Sequence, residues 1–323
     1  MRKQFFVYGL AVLVVALAFA YIRIGPPPEA PVRLVTPPAI IASLPVWIAE
    51  QEGFFDKRNL KIEFIDLTNS KYMVETLLAG NADVLPAVSL VDLATTGGPG
   101  KFALLHSRIF SHARMKKNPP FEAILVGAGS TLNTLSDLAD NSIAVYPGMT
   151  SELAVRHFLT EAGVDVMKVK FVKLPPPEHE RALLRGDVQA IHVYEPFRSL
   201  SLSNGKAREL FGSVYASLNE PSAIGVSAIS RDFERANPVA AAQFLAAWDD
   251  AVRFIRDHPQ DARKILAEKL GLPDEIAEKA TWVDVTTVAE TSYDTLKQTT
   301  ISAVAAGIIP EGFVFERDMV YQE

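Results

Sequence analysis

The side chains best placed for chemistry in this chain are a few hydroxyls, one carboxylate and two rings that follow short apolar runs. Ser89 comes after Val84-Leu85, Gly148-Met149-Thr150-Ser151 after Ile143 to Tyr146, and Tyr194-Glu195 at the end of the run from Ala190. Leu44, Pro45 and Trp47 follow Val32 to Thr36. The hydroxyls of Ser89, Thr150 and Ser151 could hydrogen-bond a ligand oxygen, or could do no more than cap the helix that each precedes. Glu195 could accept from a ligand amine or ring nitrogen, or cap the segment that starts at Pro196. Trp47 could stack on a planar or alkyl group, or pack in a core with Val46 and Ile48. His192 reads as a hydrogen-bonded core histidine, whereas His106, Arg108 and His112 belong to a polar stretch read as a solvated crossing that could reach a cleft mouth. Catalytic patterns are lacking: there is no GxSxG, HExxH, P-loop or dinucleotide glycine signature, and the carboxylates are scattered rather than paired. With 0 cysteines, disulfides, thiolate metal sites, cysteine nucleophiles and a lipidated cysteine are all excluded. No metal or cofactor is expected.

These residues need elements to hold them. Leu138 to Leu159 is the most informative stretch. Ile143-Ala144-Val145-Tyr146 reads as a buried strand, Pro147-Gly148 ends it, and Ala154, Phe158 and Ala162 then fall on one face of a helix that Gly163 terminates. A strand, tight turn and helix in that order aim backbone N–H groups and the positive end of a helix dipole at whatever lies above the strand. Upstream, Val32 to Thr36 and Leu60 to Leu67 read as strands, Pro45 to Ile48 and Lys71 to Ala79 as helices, and Val84-Leu85 as a very short strand. A helix Leu90 to Ala94 and a strand Phe102 to Leu105 follow. Strands separated by single helices imply parallel pairing. Ser107 to Pro120 turns polar and basic and reads as a crossing between two halves, after which Ala123 to Val126, Val169 to Val172 and Ala190 to Tyr194 are strands. Leu77-Leu78-Ala79-Gly80 in the first half is matched by Leu183-Leu184-Arg185-Gly186 in the second, each before a short strand. Ala223 to Ile229 is taken as the return crossing strand, and the rest, including Pro238 to Asp257, is mostly helical and is expected to pack on the first half.

Length and composition fit this reading. A chain of 323 residues with 49% hydrophobic and 22% charged residues can build two ordinary lobes. A net charge of -6 argues against nucleic acid as a partner. Arg2 and Lys3 precede an apolar run from Phe5 to Ile22, an order that export machinery recognises. Ala18-Phe19-Ala20 fits a cleavage site, yet the run is long enough to stay as a membrane anchor, so residues 1–31 are an export signal or anchor followed by a Pro-rich spacer. The body is expected in the periplasm, free or tethered to the inner membrane, and as a monomer.

The ordered set Glu52-Gly53-Phe54-Phe55, Asn59 to Glu63, Leu78-Ala79-Gly80-Asn81-Ala82-Asp83, Leu138 with Ile143-Ala144-Val145 and Gly148, and Glu195-Pro196 resembles one family. It is similar to the solute-binding proteins of ABC importers for nitrate, sulfonates, taurine and thiamine-pyrimidine precursors, over roughly Val32 to Gly307. Gln189 stands where that family often has Asp, and lysine and arginine are sparse in the loops expected to face the cleft. The resemblance implies an α/β, two-lobed periplasmic-binding fold of the second type with two crossing segments. Lobe 1 would be residues 32–121 with 222–323, and lobe 2 residues 122–221. It implies capture of a small polar or anionic organic solute between the lobes, delivery to an ABC permease, and a ligand set of Leu44, Pro45, Trp47, Ser89, Gly148, Met149, Thr150, Ser151, Tyr194 and Glu195. A membrane-tethered sensor with the same cleft is the alternative reading; an enzyme on this scaffold would need Glu195 as its acid or base.

Overall fold

β1 (Val32–Thr36) is an apolar strand whose chain leaves the sheet at Pro37. The computed structural model describes residues 31–37, 40–97 and 102–321. The apolar run from Phe5 to Ile22, read as an export signal or anchor, and the Pro-rich spacer lie outside the described residues. Val32 to Glu323 forms one compact unit. Among the described residues no helix is long and apolar enough to cross a membrane.

After β1 come α1 (Leu44–Gln51), with Pro45 in its first turn, β2 (Ile62–Asp66), α2 (Ser70–Leu78), β3 (Val84–Ser89) and α3 (Leu90–Thr95). β3 has six residues, four of them past Leu85, longer than the two apolar residues suggested, although Pro86 sits in it. Proline cannot donate to a ladder, and the neighbouring strand shifts register at this point, where the Ser227 hydroxyl donates to Pro86 O at 2.6 Å. Phe102 to Leu105 is not a strand: Ala103–Leu105 is a 3-10 turn, and the strand begins two residues later. That strand, β4 (Ser107–Arg114), occupies the polar stretch read as a crossing. It is central rather than solvated because its polar groups find distant partners, such as Ser111 donating to Thr286 O at 2.7 Å and Arg108 pairing with Glu234 at 2.7 Å.

The chain then crosses through residues 115–121 to β5 (Glu122–Gly127), β6 (Ser142–Val145), α4 (Thr150–Glu161), β7 (Lys170–Lys173), α5 (Pro176–Arg185), β8 (Ala190–Tyr194), α6 (Phe197–Ser203), β9 (Ala207–Phe211) and α7 (Val214–Leu218). It returns through residues 219–224 to β10 (Gly225–Ser230). The remainder is α8 (Arg231–Ala236), α9 (Pro238–Asp257), α10 (Pro259–Leu270), α11 (Asp274–Lys279), β11 (Asp284–Val285) and α12 (Tyr293–Ala305). The two crossings are bonded to each other, Met115 N–H to Ser222 O and Ser222 N–H to Met115 O, both at 2.9 Å.

Two sheets result, ordered β11-β4-β10-β3-β1-β2 and β7-β6-β8-β5-β9. β1 pairs in parallel with β2 and β3, as single-helix connections require, but β10 inserts antiparallel between β3 and β4 and makes the sheet mixed. In the second sheet β6 is parallel to β7 and β8, while β5 is antiparallel to β8 and β9. The matched glycines do the same work in each half: Gly80 and Gly186 hold φ of +71° and +77°, the left-handed turn that ends α2 and α5. Helix α9 packs on the first sheet, its Trp248 edge-on to Phe110 at 5.2 Å and its Phe244 stacked on Phe55 at 5.8 Å. The C-terminal helices also reach the second half, where Lys279 O lies 3.4 Å from the Ser199 hydroxyl.

Candidate ligand cavity between the two sheets

The carboxyl ends of β1, β3 and β4 from one sheet and of β6 and β8 from the other converge on a cavity of about 130 Å³. Open α/β sheets bind ligands at such ends. Its walls are mainly apolar: Met73, Pro86, Val88, Ile224 and Trp248 on the first side, with Phe121, Tyr146, Tyr194 and Tyr215 closing the other. The aromatic side is a built cluster. Tyr194 lies 5.8 Å from Tyr146, 6.1 Å from Phe121 and 6.0 Å from Tyr215 between ring centres, and the Tyr194 and Tyr215 hydroxyls are 2.6 Å apart. Burial pushes the phenols of Tyr146, Tyr194 and Tyr215 upward, so all three stay protonated.

Polar groups from both halves meet at one point of the wall. Asp92, one turn into α3, is fully buried; it accepts from the Ser70 hydroxyl at 2.7 Å, from the Thr150 hydroxyl at 2.9 Å and from Met149 N–H at 3.4 Å. Thr150 has one proton and gives it to Asp92, so its oxygen accepts from Ser89 at 2.6 Å. Ser89 in turn accepts from Val91 N–H at 3.0 Å, which caps α3. Ser89 is therefore a cap whose hydroxyl also reaches the opposite half. Thr150 and Ser151 are not caps: the residue preceding α4 is Met149, without a side-chain cap bond. Gly148 is required by geometry. Its φ is +150°, and a Cβ there would come within 2.4 Å of Ser70 Oγ, so only glycine lets the two halves approach this closely.

Behind the wall, Glu122 organises a second network. Its carboxylate accepts from Ser213 Oγ at 2.6 Å, Val214 N–H at 2.9 Å, Tyr215 N–H at 3.0 Å and His192 Nε2 at 2.9 Å. With its proton on Nε2, His192 accepts the Ser151 hydroxyl at Nδ1, 2.8 Å away. His192 is thus a buried, hydrogen-bonded histidine, and Ser151 is held by it. His112 departs from its sequence reading. It is 1% exposed in β4 and lines the cavity. Burial, with Arg114 nearby, lowers its pKa to about 4, so its ring is neutral near neutral pH.

Of the residues expected in the site, Ser89, Gly148, Thr150, Ser151 and Tyr194 line the cavity, and Met149 contributes its backbone N–H. Leu44, Pro45 and Trp47 do not. They are buried in α1 as core, because that helix faces α9 and α10, and the neighbours Ile40 and Ala42 reach the cavity instead. Glu195 is also elsewhere. It is fully buried and its carboxylate is used by Ser199 N–H at 3.1 Å, Ser199 Oγ at 3.0 Å and Arg198 at 3.3 Å, which ties it to the first turn of α6. Asp92, Ser70, Tyr146 and Tyr215 were missed, while His112, weighed only as a residue of a solvated crossing at the cleft mouth, lines the cavity. For Asp92 the available signal was a lone acid in the otherwise apolar Leu90-Val91-Asp92-Leu93-Ala94. Among the described residues no group of acids and histidines is arranged to hold a metal.

Two α/β halves, two bonded crossings and a cavity at facing strand ends define a periplasmic-binding fold of the second type. The chain belongs to the family described as NMT1-like, whose profile matches residues 25–271. A putative aliphatic sulfonates-binding protein of Escherichia coli (strain K12) is 25% identical over 235 residues, covering 72% of this chain and 70% of that one. The alkanesulfonate-binding protein SsuA from Xanthomonas axonopodis pv. citri, solved with MOPS, superposes with a TM-score of 0.71 at 20% identity, covering 92% and 100% of the two chains. The periplasmic nitrate-binding protein NrtA from Synechocystis PCC 6803 gives 0.66 at 15% identity, covering 91% and 85%. The chain is thus a member of the NMT1-like family that shares its fold with solute-binding proteins.

Proposed function

We propose that this chain captures a small organic solute between its two halves in the periplasm and delivers it to an ABC permease in the inner membrane. The observation that carries the reading is Thr150: its hydroxyl joins α4 of one half to Ser89 and Asp92 of the other across the rim of the cavity. Bonds of this kind favour a closed form, and a permease can then distinguish closed from open. Closure about the paired crossings would move residues 32–121 with 222–323 against 122–221. The N-terminal run from Phe5 to Ile22 serves either as a cleaved signal or as a tether, and both keep the body outside the cytoplasm. A sulfonate-like, nitrate-like or pyrimidine-like solute fits the family; the extent of apolar and aromatic wall favours one with an organic body over a bare inorganic anion.

The test is a thermal-shift screen of the chain against sulfonates, taurine, nitrate, aminopyrimidines and amines. A ligand at a hundred times its Kd adds about 2.7 kcal/mol of stability, well within detection. A hit that Ser89→Trp abolishes supports the cavity as the site; hits that survive it, or none across the panel, would count against this function.

A further inference from the structure

The place where an anionic head group would be favoured is already occupied. α4 is 12 residues long, and its first amides have no acceptor within the helix, so its N-terminus attracts negative charge. The carboxylate that answers it is Asp92, from the opposite half, bonded to Met149 N–H and the Thr150 hydroxyl. No lysine or arginine is among the described residues that line the cavity. Lys173, whose charge reaches Asp92, is itself half-exposed and lies 3.5 Å from Glu152. Burial pushes the Asp92 carboxyl above its usual range in spite of Lys173 and three hydrogen-bond donors, the mark of a carboxylate short of positive charge. A carboxylate offers about four lone-pair sites, and three are filled, leaving one on Oδ1. The neighbouring wall is aromatic, and ring faces attract cations.

We propose that the solute of this cavity carries an ammonium or similar N–H cation that pairs with Asp92, on an apolar body that lies against Tyr146 and Tyr194, and that the cavity rejects sulfonates and other anions. This rests on the interlobe cavity being the solute site. His112 adds a second requirement. Ser292 N–H donates to its Nε2 at 3.2 Å, which puts the ring proton on Nδ1, and Nδ1 is buried without a partner. An uncharged acceptor on the solute would satisfy it.

Butylammonium, butanesulfonate and butanol share a tail and differ in charge, so they isolate the head group. Titration calorimetry of the full-length chain is expected to rank butylammonium first. Asp92→Asn keeps the shape of the side chain and should weaken butylammonium roughly 10- to 100-fold while leaving butanol unchanged. Asp92→Ser vacates the end of α4 and should gain butanesulfonate. Native protein that prefers butanesulfonate, with that binding lost in Ser89→Trp, overturns the charge assignment and leaves the cavity standing as the solute site. Native protein that binds none of the three, while another solute from the screen binds in the cavity without a cationic group, overturns it as well. The native ranking decides the matter even if a variant fails to fold.

Discussion

Removing the Thr150 hydroxyl tests closure directly. Thr150→Val keeps the shape and the β-branch but deletes the bonds to Ser89 at 2.6 Å and Asp92 at 2.9 Å. Both bonds exist only when the halves meet, and in an opened chain the same groups would be hydrated. A net hydrogen bond is worth about 1 kcal/mol, so the closed form should lose about 2 kcal/mol. That is about a thirtyfold change in the ratio of closed to open. A native chain that is closed for about 97% of the time would come to roughly equal populations. The chain has 0 cysteines, so dyes can be placed cleanly at Met167→Cys in the second half and Val239→Cys in the first, sites that are 85% and 63% exposed. Single-molecule energy transfer between them reads the two populations without a ligand. A ratio that moves less than about threefold, in a variant that still melts cooperatively, would refute the claim that Thr150 holds the halves together.

Three further outcomes follow from the same networks. Glu122→Ala strands four buried donors, two of them backbone amides, and should cost about 4 kcal/mol or more in urea unfolding; Glu122→Gln, which keeps one acceptor oxygen, should cost less than half of that, and equal costs would contradict the network. Burial holds the imidazoles of both His112 and His179 near a pKa of about 4, below the ordinary value of 6.5, so the unfolded chain binds their protons first as pH falls. Stability is therefore complete above about pH 6.5 and declines toward pH 4, each histidine contributing up to about 1.4 kcal/mol per pH unit, and His179→Gln should flatten that slope in unfolding measured across the interval. Glu195→Gln should lower the melting temperature through weakened bonds to Ser199 and Arg198 and leave solute affinity unchanged; a drop in affinity without a drop in stability would restore Glu195 to the site.

What could be read in the sequence was what local pattern controls. The run from Ile143 to Gly163 specifies strand, turn and helix within some twenty residues, so Thr150 and Ser151 fall at the right end of the right strand before any fold is known. The same holds for Ser89 and Tyr194, each the last residue of its strand. What could not be read depends on partners far along the chain. Ser107 to Arg114 looks solvated until Thr286 and Glu234 arrive to satisfy it, 175 and 126 residues away. Pro86 looks like a strand terminator until Ser227, 141 residues later, bulges to meet it. Asp92 belongs with these, because Thr150 lies 58 residues from it. A charge in a short apolar helix conflicts with its own surroundings, and such conflicts between local preference and final environment gather where a site is built. Glu195 conflicted in the same way and proved to be tied to the first turn of α6, so the conflict alone does not separate structure from function. The discriminating fact is which side of the wall the carboxylate faces: the oxygens of Glu195 bond Ser199 and Arg198 of the adjoining helix, whereas Asp92 borders a cavity with no lysine or arginine among its described lining residues.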